Sequence, residues 1–330
     1  MKKRKKIIFV AGIALLSVIT VLIIGAVIHH RSQKAPEAAT ADDGKHMEGM
    51  ETLYAWNTYG YAFGFYPMSD RGNTRYTVSM KDSSEELCFQ VESAGQQREM
   101  SVQILIDYVQ VPIIVDDEVH MTYFFEADEH FSKEFTFRLK DRVDESRDHK
   151  ITAILTIATD KYTTDIKEEY PTSDYSIAYD MRLTFENSSG ELVKNENYDY
   201  ENVREQYEDM FTGLLINDDL TDFKRTMPKK EITAAPNETI TFSYHAGGYE
   251  ECEEVIILLS LGMQQIPVNG QDFLICKTED GMISNGTFTI TAPSEPGLYE
   301  LTGWIIDDPY TVKEQLIPMS AMPRFTLRVE

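Results

Sequence analysis

Shifted by 153 residues, the chain lies on itself without a gap over a twenty-residue stretch. LCFQVESAGQQREMSVQILI (87–106) falls on ITFSYHAGGYEECEEVIILL (240–259), so that Phe89 meets Phe242, Gly95 meets Gly248, Val102 meets Val255, Ile104 meets Ile257 and Leu105 meets Leu258. Further segments follow in the same order. Gln110-Val-Pro112 sits near Gln265-Ile-Pro267, FTFRLKD (135–141) faces FTITAPS (288–294), and HKITAILTIATDKY (149–162) faces LYELTGWIIDDPY (298–310). Both halves close on a similar run, MRLTFE (181–186) and FTLRVE (325–330). Matched segments in one order along both halves predict a tandem repeat. The runs are short, rich in Val, Ile, Thr and Phe, and bounded by Gly, Asp, Asn, Ser and Pro, which is the pattern of strands. No helical pattern alternates with them inside either unit. The prediction is therefore an all-β chain with two tandem antiparallel β-sandwiches, at 51–190 and 229–330, and not a parallel α/β sheet.

Ahead of the repeat, five consecutive basic residues, Lys2 to Lys6, precede an uncharged run from Ile7 to Ile28. About 22 residues at about 1.5 Å each give about 33 Å, enough to cross a hydrocarbon core of about 30 Å. The basic cluster orients the N-terminus inward. The sequence thus predicts a cytoplasmic tail (1–6), a single transmembrane helix (7–28) and a cell-membrane, single-pass protein with its bulk extracytoplasmic. Residues 29–50 read as a polar spacer. The rival is a cleaved signal peptide, with Ala39-Thr40-Ala41 as the cleavage site, but a signal h-region runs only to about 15 residues.

Charge narrows the partners. Seven of the 31 Lys and Arg lie in residues 1–34 with no acid, leaving 24 against 55 acidic residues beyond, a net of −31. Such a surface repels nucleic acid and suits cationic partners or multivalent cations. Of the three cysteines, Cys252 and Cys276 lie in one predicted sandwich and form the candidate disulfide, which an extracytoplasmic setting permits. No CxxC is present.

Between the two units lies a linker at 191–228. In it Val203, Tyr207, Met210, Phe211 and Leu214 fall at helical spacing, with Asn202 and Glu205 as a capping box and Gly213 as a stop. The expectation is a short amphipathic helix that packs on one sandwich and fixes the angle between the two.

The order of motifs in the second unit resembles that of bacterial immunoglobulin-like domains. Pro296-Gly297-Leu298-Tyr299-Glu300-Leu301-Thr302 looks like the turn into the penultimate strand of such a domain, where the Gly permits the turn and the Tyr packs at the sheet corner. Phe325-Thr-Leu-Arg-Val329 looks like its terminal strand. The resemblance covers the last hundred residues well and the first unit more loosely. It implies an immunoglobulin-like sandwich fold and no particular activity.

No motif names a chemistry. GxSxG, HExxH, the DxDxDG loop and a glycine-rich phosphate loop are all missing from the sequence. Gly247-Gly248 reads as a hairpin. The seven histidines are His29, His30, His46, His120, His130, His149 and His245, and nothing singles one out as a base. Acidic clusters occur at Asp116-Asp117-Glu118, Asp218-Asp219, Glu250-Glu251 with Glu253-Glu254, and Asp307-Asp308. Asp116, Asp117, Glu118, Asp307 and Asp308 fall in loops after strands and are the candidate calcium ligands, against a plain solvated turn. No other cofactor is indicated. The aromatic run from Tyr54 to Tyr66 offers Tyr54, Trp56, Tyr59 and Tyr61 as a candidate ligand platform; the alternative is an edge strand with one buried face. Trp304 follows the core pattern of its strand. The functional expectation is a non-catalytic, membrane-anchored binding or assembly module with a protein, peptide or glycan partner. The alternatives are an accessory subunit of an envelope transport or secretion complex and, more distantly, a surface hydrolase.

Overall fold

The structure, a computed structural model, describes residues 60–95, 97–164, 175–194, 200–201, 205–208, 212–217, 230–315, 319–322 and 324–330. The chain divides into Met1–Asn57 and Thr58–Glu330, and all described residues belong to the second unit. The predicted tail, anchor and spacer lie outside the described residues. Among the described residues no helix is long and apolar enough to cross a membrane.

The first repeat forms β1 (Gly60–Pro67), β2 (Thr77–Met80), β3 (Leu87–Ala94), β4 (Arg98–Ile106), β5 (Val109–Gln110), β6 (Ile113–Val115), β7 (Glu118–His120), β8 (Tyr123–Ala127), β9 (His130–Leu139), β10 (His149–Ile157) and β11 (Ser176–Phe185). The second forms β12 (Tyr200–Glu201), β13 (Glu205–Glu208), β14 (Gly213–Asn217), β15 (Glu231–Ala234), β16 (Thr239–Gly247), β17 (Glu254–Leu261), β18 (Gln264–Gln265), β19 (Leu274–Lys277), β20 (Met282–Thr291), β21 (Gly297–Asp307), β22 (Ser320–Ala321) and β23 (Phe325–Val329). Each repeat is a two-sheet sandwich. The first pairs β1-β3-β9-β6-β7 against β2-β11-β10-β4-β5, with β8 also on β4; the second pairs β13-β20-β16-β14 against β12-β19-β17-β21-β23-β15.

The central strands of the two topologies correspond: β1, β3, β9, β4, β10 and β11 to β14, β16, β20, β17, β21 and β23. In each, the third and fourth long strands sit in opposite sheets, and a short strand joins the last strand in parallel, β2 on β11 and β15 on β23. One sheet carries the immunoglobulin A-B-E order and the other the C-F-G order, so both repeats are immunoglobulin-like sandwiches. Tyr299 supplies a matching detail: its hydroxyl donates to the carbonyl of Glu295 at 2.9 Å, closing the corner before β21. Gly297 opens β21 beside that ring, and a Cβ there would reach it at 3.4 Å, an ordinary van der Waals contact, so the corner does not demand glycine for space.

Why the sandwiches stack is written in the strands. Outer strands such as β9 and β20 alternate buried and exposed, because one face meets water. The inner strands β4, β10, β17 and β21 are buried almost throughout. Along β10, Ile151, Ala153, Leu155 and Ile157 enter the first core, while Ile154 points the other way. Along β17, Val255, Ile257 and Leu259 enter the second core, while Ile256 and Leu258 join Ile154, Leu105, Tyr108, Trp304 and Ile306 in a third. The described part of Thr58–Glu330 therefore has four layered sheets, with the two inner ones packed face to face.

Polar contacts across this join are nearly reciprocal. The Gln110 N–H donates to Gln265 Oε1 at 2.6 Å, and the Gln265 N–H donates to Gln110 Oε1 at 2.6 Å. Tyr108 of the first repeat donates to the carbonyl of Pro309 in the second. In return, Arg324 of the second repeat donates to the carbonyls of Ile157 and Lys161 in the first, at 3.1 and 2.9 Å. Mutual pairs of this kind mark a two-fold-like, self-complementary interface, here between two halves of one chain.

Several expectations require correction. The linking helix does not form at its described positions: Glu205–Glu208 and Gly213–Asn217 are strands, β13 and β14. Leu214 and Ile216 are buried against the second core with Leu215 between them, a period of two that β14 keeps by pairing with β16. Val203, Met210 and Phe211 lie outside the described residues. The second sandwich thus draws strands from the predicted 191–228 linker, and sheet-on-sheet packing, not a helix, fixes the two sandwiches. Gly247-Gly248 is not a hairpin, since β16 and β17 belong to different sheets. It is a crossing turn, with both glycines at positive φ, like Gly95 in the first repeat.

Candidate functional site

Register brings two distant acidic clusters together. Val255 at the start of β17 pairs with Asp307 at the end of β21. The turn before β17, with Glu250, Glu251 and Glu253, therefore meets the turn after β21, with Asp308. Together with Glu254, Glu314, Lys194, Lys277 and Lys313 they line an open cleft of about 840 Å³. Seven carboxylates face three lysines. Lys313 pairs with Asp307 at 2.7 Å and Lys194 with Glu254 at 3.6 Å. The turns are held by main chain: the Glu253 N–H donates to Asp308 Oδ1 at 3.1 Å and the Glu251 N–H to Asp280 Oδ1 at 2.6 Å. A net negative cleft attracts cations and lowers the local concentration of anions.

The other calcium candidates go elsewhere. Asp116 and Asp117 form the two-residue turn between β6 and β7, with φ of 49° and 65°. Both central residues at positive φ is the geometry of a tight hairpin turn that favours Asp and Asn. Asp117 pairs with Arg138 at 3.6 Å. Glu118 begins β7 and lies 4.0 Å from the His120 ring. Among the described residues no three Asp, Glu, His or Cys side chains converge in a way that could hold a metal ion. We expect a chelator to leave the thermal melting temperature of the full chain unchanged; a rise of several degrees on adding calcium would show that ligands from these loops do gather.

Of the proposed aromatic platform, Tyr54, Trp56 and Tyr59 lie outside the described residues. Tyr61 is in β1, half-buried against the first core, where Phe63 and Phe65 follow it inward at every second position. Phe63 stacks on Phe89 with centroids 4.8 Å apart. The described part of the run is thus an edge strand.

The thiols are set for packing. Cys88, Cys252 and Cys276 are buried thiols, and no disulfide links Cys252 to Cys276. Their sulfurs have separate partners: Cys252 Sγ donates to the Glu254 carbonyl and Cys276 Sγ lies 3.3 Å from the Tyr244 hydroxyl. Burial pushes the Cys88 thiol up to about 12 and the Cys252 thiol up to about 11. A thiol so raised is protonated near neutrality and is a poor nucleophile.

His149 is equally engaged. Its Nδ1 lies 2.6 Å from Asp107 Oδ2 and its Nε2 2.7 Å from the Asp144 carbonyl. With Asp107 ionised, both partners accept, which favours a proton on each ring nitrogen and leaves the imidazolium no lone pair for general-base work. Burial alone lowers the pKa, yet the Asp107 and Asp144 contacts outweigh it, and the net direction is upward. A raised folded pKa means stabilisation fully present below the unfolded value of about 6.5 and lost as pH rises through the folded value. In urea unfolding, the unmodified chain should lose stability between neutral and alkaline pH relative to His149→Gln. Parallel pH curves for the two would remove the imidazolium from this account.

Two ion pairs sit at the join. Lys150 Nζ lies 2.8 Å from Asp180 Oδ2, with Tyr108 3.4 Å from the same oxygen. Arg324 Nε lies 3.2 Å from Glu300 Oε2. Glu300 also accepts the Thr163 N–H at 2.8 Å and the Thr163 hydroxyl at 2.6 Å. Burial raises the pKa of Asp180, while Lys150 opposes the rise. Sequence reading missed these groups because nothing local marks them; strand pairing within each repeat makes the partners neighbours, through Thr152↔Asp180 and Glu300↔Thr326, and stacking buries them. Trp304 is buried as expected, yet in the third core, donating Nε1–H to Ser176 Oγ at 3.2 Å.

No family model matches the chain, and no curated protein matches it. Among solved structures it is similar to the CARDB domain of a Pyrococcus furiosus protein in complex with di-metal ions, at 14% identity over 36% of this chain and 90% of that one, TM-score 0.24. It is similar to the E. coli chaperone DraB, at 11% identity over 82% and 97%, TM-score 0.23. It is also similar to the C-terminal domain of the Streptococcus pyogenes antigen I/II-family protein AspA, at 5% identity over 82% and 99%, TM-score 0.24. Likenesses at these scores carry no argument, and the fold assignment rests on the strand order.

Proposed function

We propose that the chain is an extracytoplasmic binding or assembly module, tethered to a membrane by residues 7–28, that docks a protein partner without catalysis. The observation that carries this reading is how the ionisable groups are used. Lys150, Asp180, Glu300 and Arg324 are buried in the join between the sandwiches, and His149 is fixed between two acceptors. The described body presents to solvent the outer faces of its outer sheets, loops, edges and an acidic cleft. That suits recognition, where a preorganised surface lowers the cost of binding. The cleft favours a partner with a cationic group, in keeping with the net charge of −31 beyond residue 34. The uncharged run and the basic cluster before it support the tether.

Crosslinking in intact cells, with the full chain as bait, tests the reading. A captured partner should be lost when Glu250, Glu253 and Asp308 are changed together to lysine. Membrane fractionation should place the full chain in the pellet, with residues 60–330 open to protease added outside. Turnover of a substrate, abolished by one substitution that leaves the melting temperature intact, would sink the proposal.

A further inference from the structure

Of the five large apolar side chains exposed among the described residues, three, Val119, Met121 and Phe124, fall within six consecutive residues. They lie where the chain leaves β7, the edge of an outer sheet, and enters β8, an edge of an inner one. One side of β8 pairs with β4, from Arg98↔Ala127 to Val102↔Tyr123. Among the described residues no strand pairs with its other side. Phe125 and Ala127 anchor β8 in the first core, while the alternate residues Phe124 and Glu126 face out. An open edge is ordinarily guarded by charge, proline or a covering segment; this one carries an exposed phenylalanine.

The second repeat shows what the corresponding edge accepts. There β17, the counterpart of β4, is flanked on its outer side by β19, from Glu254↔Lys277 to Ile257↔Leu274. β19 in turn is extended by β12, a strand from the segment between the repeats, through Tyr200↔Ile275 and Glu201↔Cys276. Among the described residues the same edge is extended in one repeat and unpaired in the other. Charge specifies the occupant further. Residues 113–132 hold six acids (Asp116, Asp117, Glu118, Glu126, Asp128 and Glu129), all exposed, and no Lys or Arg.

We propose that the free edge of β8 takes up an extended segment of a partner protein that carries an apolar residue and a Lys or Arg two positions apart, on one face of the strand. Main-chain hydrogen bonds would give affinity, and on the outward face Phe124 would receive an apolar side chain and Glu126 a cation, two positions apart as the pleat requires. This rests on the reading of the chain as a binding module and names the partner's chemistry at a place apart from the acidic cleft.

The test uses the full chain in an uncharged detergent and two blocked nine-residue peptides. One repeats valine-serine-lysine-serine; the other has glutamate in place of lysine. The lysine peptide should bind by fluorescence anisotropy and slow amide exchange at 123–127, and the glutamate peptide should not. Phe124→Asp and Glu126→Lys, both at exposed positions, should each weaken binding at least tenfold with the melting temperature unchanged. Glu186→Lys, at an exposed acid just past β11 and outside both sites, should leave it as it was. Three results overturn the inference: no binding of the lysine peptide, protection confined to the cleft, or affinity insensitive to both edge substitutions. Protection of 123–127 before any peptide is added overturns it too, since the chain's own undescribed segments would then cover the edge. If crosslinking still captures a cleft-dependent partner under any of these, the binding reading stands and only the edge assignment falls.

Discussion

Arg324→Ala should remove about 3–5 kcal/mol of unfolding free energy, the cost of leaving a buried charge without its partner. Glu300 and Arg324 are both almost wholly buried. Without the guanidinium, Glu300 keeps its bonds from Thr163 and Thr326 but loses its counter-charge. The carbonyls of Ile157, Ala158 and Lys161 lose their donor at the same time. A domain's whole stability is about 5–15 kcal/mol, so the effect is a large share of it. Arg324→Lys should recover only part of the loss, because an ammonium restores the charge without the forked reach to several carbonyls. Urea unfolding followed by circular dichroism measures both. A loss under about 1 kcal/mol for Arg324→Ala, typical of an exposed pair, would mean that solvent reaches the network and that it does not fix the sandwiches.

That network explains which parts of the molecule could be read from sequence. The duplicated order of segments led to two sandwiches because alternation and turn residues are local. Residues 102–106, 151–157 and 255–259 carried a second message. They lack the polar alternation of 135–139, which is what strands buried on both faces look like. Taken together they imply inner sheets covered on their outer faces, hence stacking. The segment around Leu214 misled for a different reason. Tyr207, Met210, Phe211 and Leu214 fit a helical period, whereas Leu214-Leu-Ile216 fits a strand, and pairing with β16 decides between them. The acidic clusters at 250–254 and 307–308 were each visible, but their meeting depends on the register Val255↔Asp307, a long-range fact. The aromatic run was ambiguous between a platform and a strand; packing of Phe63 and Phe65 beneath Tyr61 resolves its described end.

Trp304→Ala separates a joined molecule from two tethered ones. Its indole points away from the second sandwich's own core and into the cluster shared with Leu105, Tyr108 and Ile154 of the first repeat. Truncation therefore leaves the Phe242, Phe288 and Leu327 core intact and opens a cavity only in the join. The expected cost is about 3–5 kcal/mol, that of removing a large buried aromatic side chain. Ser176 of β11 also loses the indole donor. If the four sheets unfold as one body, amide exchange should accelerate in β10 and β11 of the first repeat as well as in β21 of the second, and urea unfolding should remain one transition at a lower midpoint. Loss of protection confined to β21 and its neighbours, with β10 and β11 unchanged, would mean that the sandwiches are stable apart. The rigid separation of cleft and open edge, on which a preorganised binding surface depends, would then go with it.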